Sequence, residues 1–118
     1  MQPMTWAVLE HPAFADERDA LPQAVSDKLD AMILLIEQYG PDLGRPAVDR
    51  LNASAHTNMK ELRFKLDGVW RFAFAFDPER SAVVLVGSNK EGKNQKRFYK
   101  QLIAIADDRF AEWLAAND

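Results

Sequence analysis

The chain has 118 residues, of which 47% are hydrophobic and 28% charged, the proportions of one folded domain. It has no cysteine, which excludes disulfides and Cys-ligated metals, and its two histidines, His11 and His56, are too far apart for a His-based metal site to be expected. Neither a membrane-spanning apolar run nor a signal-peptide pattern is visible. We expect a single domain over residues 1–118, in the cytoplasm, without a membrane partner.

The net charge of −3 conceals an uneven distribution of charge along the sequence. Residues 57–102 carry ten basic and five acidic side chains, whereas residues 1–56 carry four and nine. The basic segment is therefore where an anionic ligand would be expected to bind. The alternative is a solvated basic face without a ligand, and charge alone favours that alternative.

The N-terminal third of the sequence predicts a strand followed by a helical hairpin. A strand over residues 4–10 ends at His11 and Pro12, and residues 13–20 are typical of a short helix. From Leu21 to Tyr39 apolar residues recur every three or four positions, as on one face of a helix that Gly40 ends. Residues 40–58 then read as a connector with one helical turn over residues 46–51.

The next segment changes to a period of two, which is typical of strands. Apolar residues alternate with charged or small ones in ELRFKL and in WRFAFAF, and Asp67 and Gly68 between them indicate a hairpin. The run AVVLVG predicts a third, central strand that is covered on both faces. Helical spacing after NKEGKNQ predicts a long C-terminal helix, so the predicted fold class is α+β.

The loop of the first hairpin decides which side chains share a face of the sheet. A three-residue loop over residues 67–69 pairs Leu66 with Trp70 and Phe64 with Phe72, gathering the large apolar side chains on one face. A two-residue turn would divide them between the two faces. We therefore predict the three-residue loop, with the helical hairpin packed on this apolar face.

In that register the opposite face of the sheet carries Arg63, Lys65 and Arg71 together with Ala73 and Ala75. The two alanines are expected to leave a shallow hollow, and three cations above it would suit a phosphate backbone. Arg71 would then serve a ligand rather than the core. A solvated polar face paired with the acidic helices is an equally good interpretation.

A lysine-rich turn, GSNKEGKNQKRFYK, follows the third predicted strand. It could wrap phosphates, although its spacing matches neither a Walker loop nor a dinucleotide fingerprint. Its tyrosine, Tyr99, suits a core or interface position as well as a catalytic one.

The runs LGRPAVDRL, MKELRF, VWRFAFAFDPER, VVLVGSNKEGK and KRFYKQLI resemble the RelE/ParE superfamily of toxin–antitoxin toxins, specifically its phage-derived HigB-like branch. The resemblance covers residues 4–115. It implies a RelE-like fold, with an N-terminal strand and a helical hairpin packed on a twisted, mainly antiparallel sheet and with a C-terminal helix.

The resemblance also implies a function, that of a type II toxin which cleaves mRNA in the ribosome and so inhibits translation, without a metal or other cofactor. The implied partners are a cognate helix-turn-helix antitoxin of the HigA-like kind, the ribosome and mRNA, with operator DNA contacted only through the antitoxin. The alternatives are a ParE-like toxin that poisons DNA gyrase by binding, and an inactive relative.

Cleavage by the RNA 2′-hydroxyl requires removal of a proton, stabilisation of charge at the phosphate and help for the departing 5′-oxygen. By resemblance, Arg71 would stabilise the charge, assisted by cations at three further positions and by a C-terminal tyrosine. These catalytic candidates are Arg71, Lys65, Arg63, Lys90 and Tyr99. The general base stays open, with Lys65 and Lys93 as possibilities, and the expected RNA-binding residues are Lys60, Lys93, Lys96 and Arg97.

Overall fold

The computed structural model describes residues 5–117, so Met4 of the predicted first strand lies outside the described residues. The elements in chain order are β1 (Ala7–Glu10), α1 (Pro12–Arg18), α2 (Gln23–Tyr39), β2 (Val48–Arg50), β3 (Met59–Lys65), β4 (Val69–Phe76), β5 (Ser81–Asn89) and α3 (Gln95–Ala116). The sheet has the order β1-β5-β4-β3-β2, and only the β1–β5 pair is parallel. The predicted α+β class is confirmed. Within the described range, no helix combines the length and apolarity that crossing a membrane requires.

The helical turn predicted over residues 46–51 is wrong, because Val48–Arg50 is an edge strand paired antiparallel with β3. Val48 lies opposite Leu62 and is buried in the core. Three residues are too few to show a strand period, and pairing with β3 satisfies backbone groups that one isolated helical turn would leave open. The helical conformation of the connector lies earlier, in a 3-10 turn at Gly40–Asp42.

The hairpin between β3 and β4 has the predicted odd loop, shifted by one position to residues 66–68. Phe64 pairs with Trp70 and Leu62 with Phe72, so the predicted partners are wrong by two residues while the faces are right. Leu66 leaves the ladder because its amide donates to the Gly68 carbonyl and its own carbonyl accepts from the Trp70 indole, both at 3.1 Å.

The apolar face of the sheet is covered by α1 and α2, as predicted. Large aromatic and aliphatic side chains from the helices and from β3 and β4 form one core. Its main members are Phe14, Val25, Leu29, Met32 and Ile36 on the helices and Leu62, Phe64, Trp70, Phe72 and Phe74 on the strands.

The hollow expected above Ala73 and Ala75 is wrong, because α3 packs there and buries both residues completely. The small side chains let a helix approach the strand, and α3 fills the space with Phe98, Leu102, Ala106 and Phe110. Ala73 pairs with Val86 and Phe74 with Val84, so Leu85 is the extra residue of a β-bulge in β5. The bulge places both Leu85 and Val86 in the core beneath α3. Charged side chains on this face begin at Glu61, which lies opposite Ala73, and continue beyond it with Arg63 and Arg71.

Candidate active site

Four of the five predicted catalytic residues meet where β3, β4, the end of β5 and the first turns of α3 come together, namely Arg63, Arg71, Lys90 and Tyr99. Arg63 lies directly opposite Arg71 across β3 and β4, and Arg71 lies opposite Ser88 of β5. Like charges at directly opposed positions repel. An anion is therefore needed to hold the two arginines on neighbouring strands.

Glu61 supplies that anion. Its Oε1 lies 3.0 Å from Nε of Arg71 and 3.7 Å from Nε of Arg63, and the residue is only 5% exposed. Glu61 is not among the site residues predicted from the sequence. The signal was present, because Glu61 alternates with Arg63 and Lys65 and so occupies the same face as the predicted cations.

Arg71 is buried in this network rather than displayed on an open surface, which corrects the expectation that it serves only a ligand. Its residue exposure is 5%, its Nε donates to the Tyr99 hydroxyl at 3.1 Å, and its Nη1 donates to the Trp70 carbonyl at 2.9 Å. The cause is α3, which covers this part of β4 and brings Tyr99 onto the guanidinium. Arg71 therefore has both a structural and a potential chemical role.

Tyr99 links the helix to the strand cluster. Its hydroxyl donates to Oε1 of Glu61 at 2.7 Å while it accepts from Arg71. Burial raises the pKa of Tyr99, and the hydrogen bond to Glu61 raises the pKa further, against an opposing effect of Arg71. The phenol is thus a hydrogen-bond donor at neutral pH, and the tyrosinate that a general base would require is disfavoured.

Lys90 stands at the rim of the cluster, immediately after β5. Its Nζ lies 5.6 Å from the centroid of the Tyr99 ring and 3.5 Å from Oε1 of Gln95. Burial lowers the pKa of Lys90 most, and the positive charge of Arg71 lowers the pKa further. Glu61 opposes these effects by raising the pKa, and Arg63 and Lys65 lower it by smaller amounts. Lys90 therefore gives up its proton more readily than an isolated lysine does.

The other predicted residues are less closely gathered. Lys65 is exposed at the end of β3. Lys93 reaches Ser88 Oγ at 3.4 Å, at the strand position that faces Arg71. Lys96 and Arg97 are exposed on α3, where Lys96 lines a groove with Tyr99. Among residues 5–117, none of these four cations joins the hydrogen bonds of the buried cluster.

Lys60 is the predicted residue that the structure separates from the rest. Its Nζ donates to the Pro41 carbonyl at 3.0 Å and lies 5.5 Å from the centroid of the Phe76 ring. Phe76 belongs to the core beneath α1 and α2, so Lys60 points to the opposite side of the sheet from Arg71.

Within residues 5–117 no group of three or more His, Asp or Glu side chains is arranged to hold a metal ion.

The family model of phage-derived Gp49-like proteins matches residues 16–111 of the chain. The chain belongs to this family. Two relatives come from Mycobacterium tuberculosis: the candidate toxin HigB3 is 48% identical over 104 residues, 88% of this chain and 85% of its own, and the candidate toxin HigB2 is 46% identical over 87 residues, 72% and 43%. These matches confirm the HigB-like branch that the resemblance implied.

The fold of this Gp49-like chain also agrees with a solved structure. A variant of the Escherichia coli toxin RelE in its free state superimposes with a TM-score of 0.64 over 86% of this chain and 96% of that one. The two sequences share 11% identity, so the likeness concerns the fold. The RelE-like architecture expected from the sequence is confirmed.

Proposed function

We propose that this Gp49-like chain is the toxin of a type II toxin–antitoxin module and that it cleaves mRNA on the ribosome, without a metal ion, in the cytoplasm. The observation that carries the proposal is the position of Lys90, a lysine with a lowered pKa at the rim of a buried arginine–tyrosine cluster. The candidate toxins among the relatives support the toxin part of the proposal.

The proposed reaction begins with Lys90 as a neutral amine that removes the proton of the RNA 2′-hydroxyl. The 2′-oxygen attacks the adjacent phosphorus, the bond from phosphorus to the 5′-oxygen breaks, and a 2′,3′-cyclic phosphate forms. Arg71 and Arg63 stabilise the extra negative charge on the phosphate oxygens. Protonated Lys65 or Lys93 at the rim gives a proton to the departing 5′-oxygen.

The requirement for the ribosome follows from the weakness of this acid–base machinery. None of the clustered cations is a strong base held against its substrate, so most of the barrier reduction must come from alignment of the 2′-oxygen with the phosphate. A ribosome holds its mRNA in a defined conformation, whereas free RNA samples many. We therefore expect cleavage of translated mRNA and little cleavage of naked RNA.

The test compares programmed ribosomes with naked RNA, using pure protein with and without EDTA. The proposal expects cleavage on ribosomes only and no effect of EDTA, and mapping of 5′ ends after induction in cells should place the cuts inside reading frames. EDTA-sensitive cleavage, or rapid cleavage of naked RNA, would contradict the mechanism. Arrest of DNA synthesis before translation on induction would favour gyrase poisoning instead.

The proposed protein partner is a HigA-like antitoxin with a helix-turn-helix domain, and operator DNA is reached only through that domain. The antitoxin would either cover the cationic site around Arg63, Arg71 and Lys90 or dock on α1 and α2 and block entry to the ribosome by its bulk. Co-expression with the product of the adjacent reading frame, followed by size exclusion, tests the partnership. A chain tolerated alone that never co-purifies with that product would argue against the module.

A further inference from the structure

The acid beneath the cationic site, Glu61, has no role in the proposed chemistry, yet one of its oxygens organises the cluster. Oε1 accepts from the Tyr99 hydroxyl at 2.7 Å, lies 3.0 Å from Arg71 Nε and 3.7 Å from Arg63 Nε. A buried carboxylate costs free energy unless hydrogen bonds and opposite charges surround it. Glu61 has both, and each of its three partners is a predicted catalytic residue.

The effect of Glu61 on Arg71 is to fix the plane of the guanidinium. Nε is held by Glu61 and Tyr99, and Nη1 is held by the Trp70 carbonyl at 2.9 Å. Nη2 donates to no acceptor among residues 5–117, and no fully buried side-chain nitrogen or oxygen in this range lacks a partner. Nη2 therefore keeps some exposure to solvent, where an anion could meet it.

We propose that Glu61 is a positioning residue, which does not touch RNA but holds Arg71 in the orientation that presents Nη2 to the scissile phosphate. The inference rests on the proposed function, since it assigns Arg71 to the phosphate of that reaction. Without the carboxylate the guanidinium can rotate away from Tyr99, and alignment is lost. The net charge of the site becomes more positive, so attraction for RNA is not weakened.

A titration of the free protein tests the contact without RNA. The chain has two tyrosines, so Tyr39→Phe leaves Tyr99 as the only source of tyrosinate absorbance. Glu61→Gln in this background removes the acid that raises the pKa of Tyr99. The cations near the ring all remain, namely Arg71, Lys90, Lys96 and Lys100. The pKa of Tyr99 should fall. Glu79→Gln, the same exchange in the exposed turn before β5, should leave it unchanged.

Single-turnover cleavage on programmed ribosomes tests the role itself. Glu61→Gln should reduce the rate at saturation by about tenfold or more, since a misplacement of about 1 Å can cost a hundredfold. The concentration of protein giving half the maximal rate should not rise, whereas loss of an RNA contact would raise it. Glu79→Gln should match the wild-type chain.

An unchanged saturating rate in a folded Glu61→Gln variant, or an unmoved titration of Tyr99, would overturn the inference. If circular dichroism shows that Glu61→Gln is unfolded, Glu61→Asp replaces it, because aspartate keeps the charge but withdraws the oxygen; a wild-type rate in that variant would also overturn the inference. Failure of the wild-type chain to cleave on ribosomes would refute the proposed function, and the titration would still decide whether Glu61 controls Tyr99.

Discussion

Beneath α1 and α2, strands β3 and β4 present large apolar side chains that pack against Phe14, Leu29 and Ile36. Beneath α3, the same strands present the alanines that seat the helix at one end and the Glu61–Arg71 pair at the other. Of the predicted site residues the first face holds Lys60, and its large side chains form the core. On the second face a site residue is also a buried residue, so variants there affect folding and chemistry together.

The largest expected effect breaks the first face. Phe72 is fully buried and stacks on Phe64, with ring centroids 5.7 Å apart, and meets Phe14 edge-on at 6.0 Å. Phe72→Ala should lower the free energy of unfolding by about 3 to 5 kcal/mol, measured by chemical denaturation. Leu34→Ala, at an exposed position on α2, is the control and should change stability by less than about 0.5 kcal/mol. If Phe72→Ala lowers the free energy of unfolding by less than Leu34→Ala does, the packing described for Phe72 would be contradicted.

The second prediction tests whether the α3 face joins stability to function. Arg71→Ala leaves the Glu61 carboxylate buried without its nearest cation, which should cost about 3 kcal/mol of unfolding free energy as well as activity. Removing both side chains should cost less than the sum of the single changes in a double-mutant cycle. Full stability with loss of activity would instead restore the view that Arg71 serves only a ligand.

Sequence reasoning found the two faces because a period of two survives any even shift of register. For the same reason it could not locate the loop, since the pairs Phe64–Phe72 and Phe64–Trp70 put the same side chains on the same face. The carbonyl of Leu66, which accepts from the Trp70 indole, decides between them, and such a contact leaves no periodic signal.

The residues of the candidate site could be predicted in part, for a related reason. Charge and resemblance selected Arg63, Arg71 and Lys90, which the fold gathers. Glu61 is an anion, so a search for cations that bind an anionic ligand does not select it. Lys60 is a cation, but its position along β3 places it on the opposite face. Burial of Arg71 could not be read from β3 and β4, because it is imposed by α3, which lies more than twenty residues later in the chain.

The third prediction concerns the pH dependence of cleavage. It separates chemistry from folding on the α3 face, because Lys90 lies at the rim of this face and not in its core. Because its pKa is lowered by burial and by Arg71, the neutral amine gains population as pH rises towards that pKa, and ribosomal cleavage should rise with it and then level off. Lys90→Arg keeps the charge, but the guanidinium cannot deprotonate. The cleavage rate at neutral pH should therefore fall about a hundredfold, and the rise of the rate with pH should disappear. Unfolding free energy should change little, and an unaltered pH profile in Lys90→Arg would assign the base elsewhere.

The smallest expected effect compares one lysine from each side of the sheet. Lys96 is exposed on α3 beside Tyr99, whereas Lys60 is directed to the Pro41 carbonyl on the other side, where burial and then Arg50 lower its pKa. Lys96→Gln should raise the half-saturating concentration for ribosomal cleavage about threefold, the size expected of one exposed charge contact. Lys60→Gln makes the same change in formal charge and should raise it less. If Lys60→Gln raises the half-saturating concentration more than Lys96→Gln does, RNA or the ribosome must approach the face beneath α1 and α2. Lys60 faces that side, whereas Lys96 lines the groove beside Tyr99, so the larger effect marks the side that is approached.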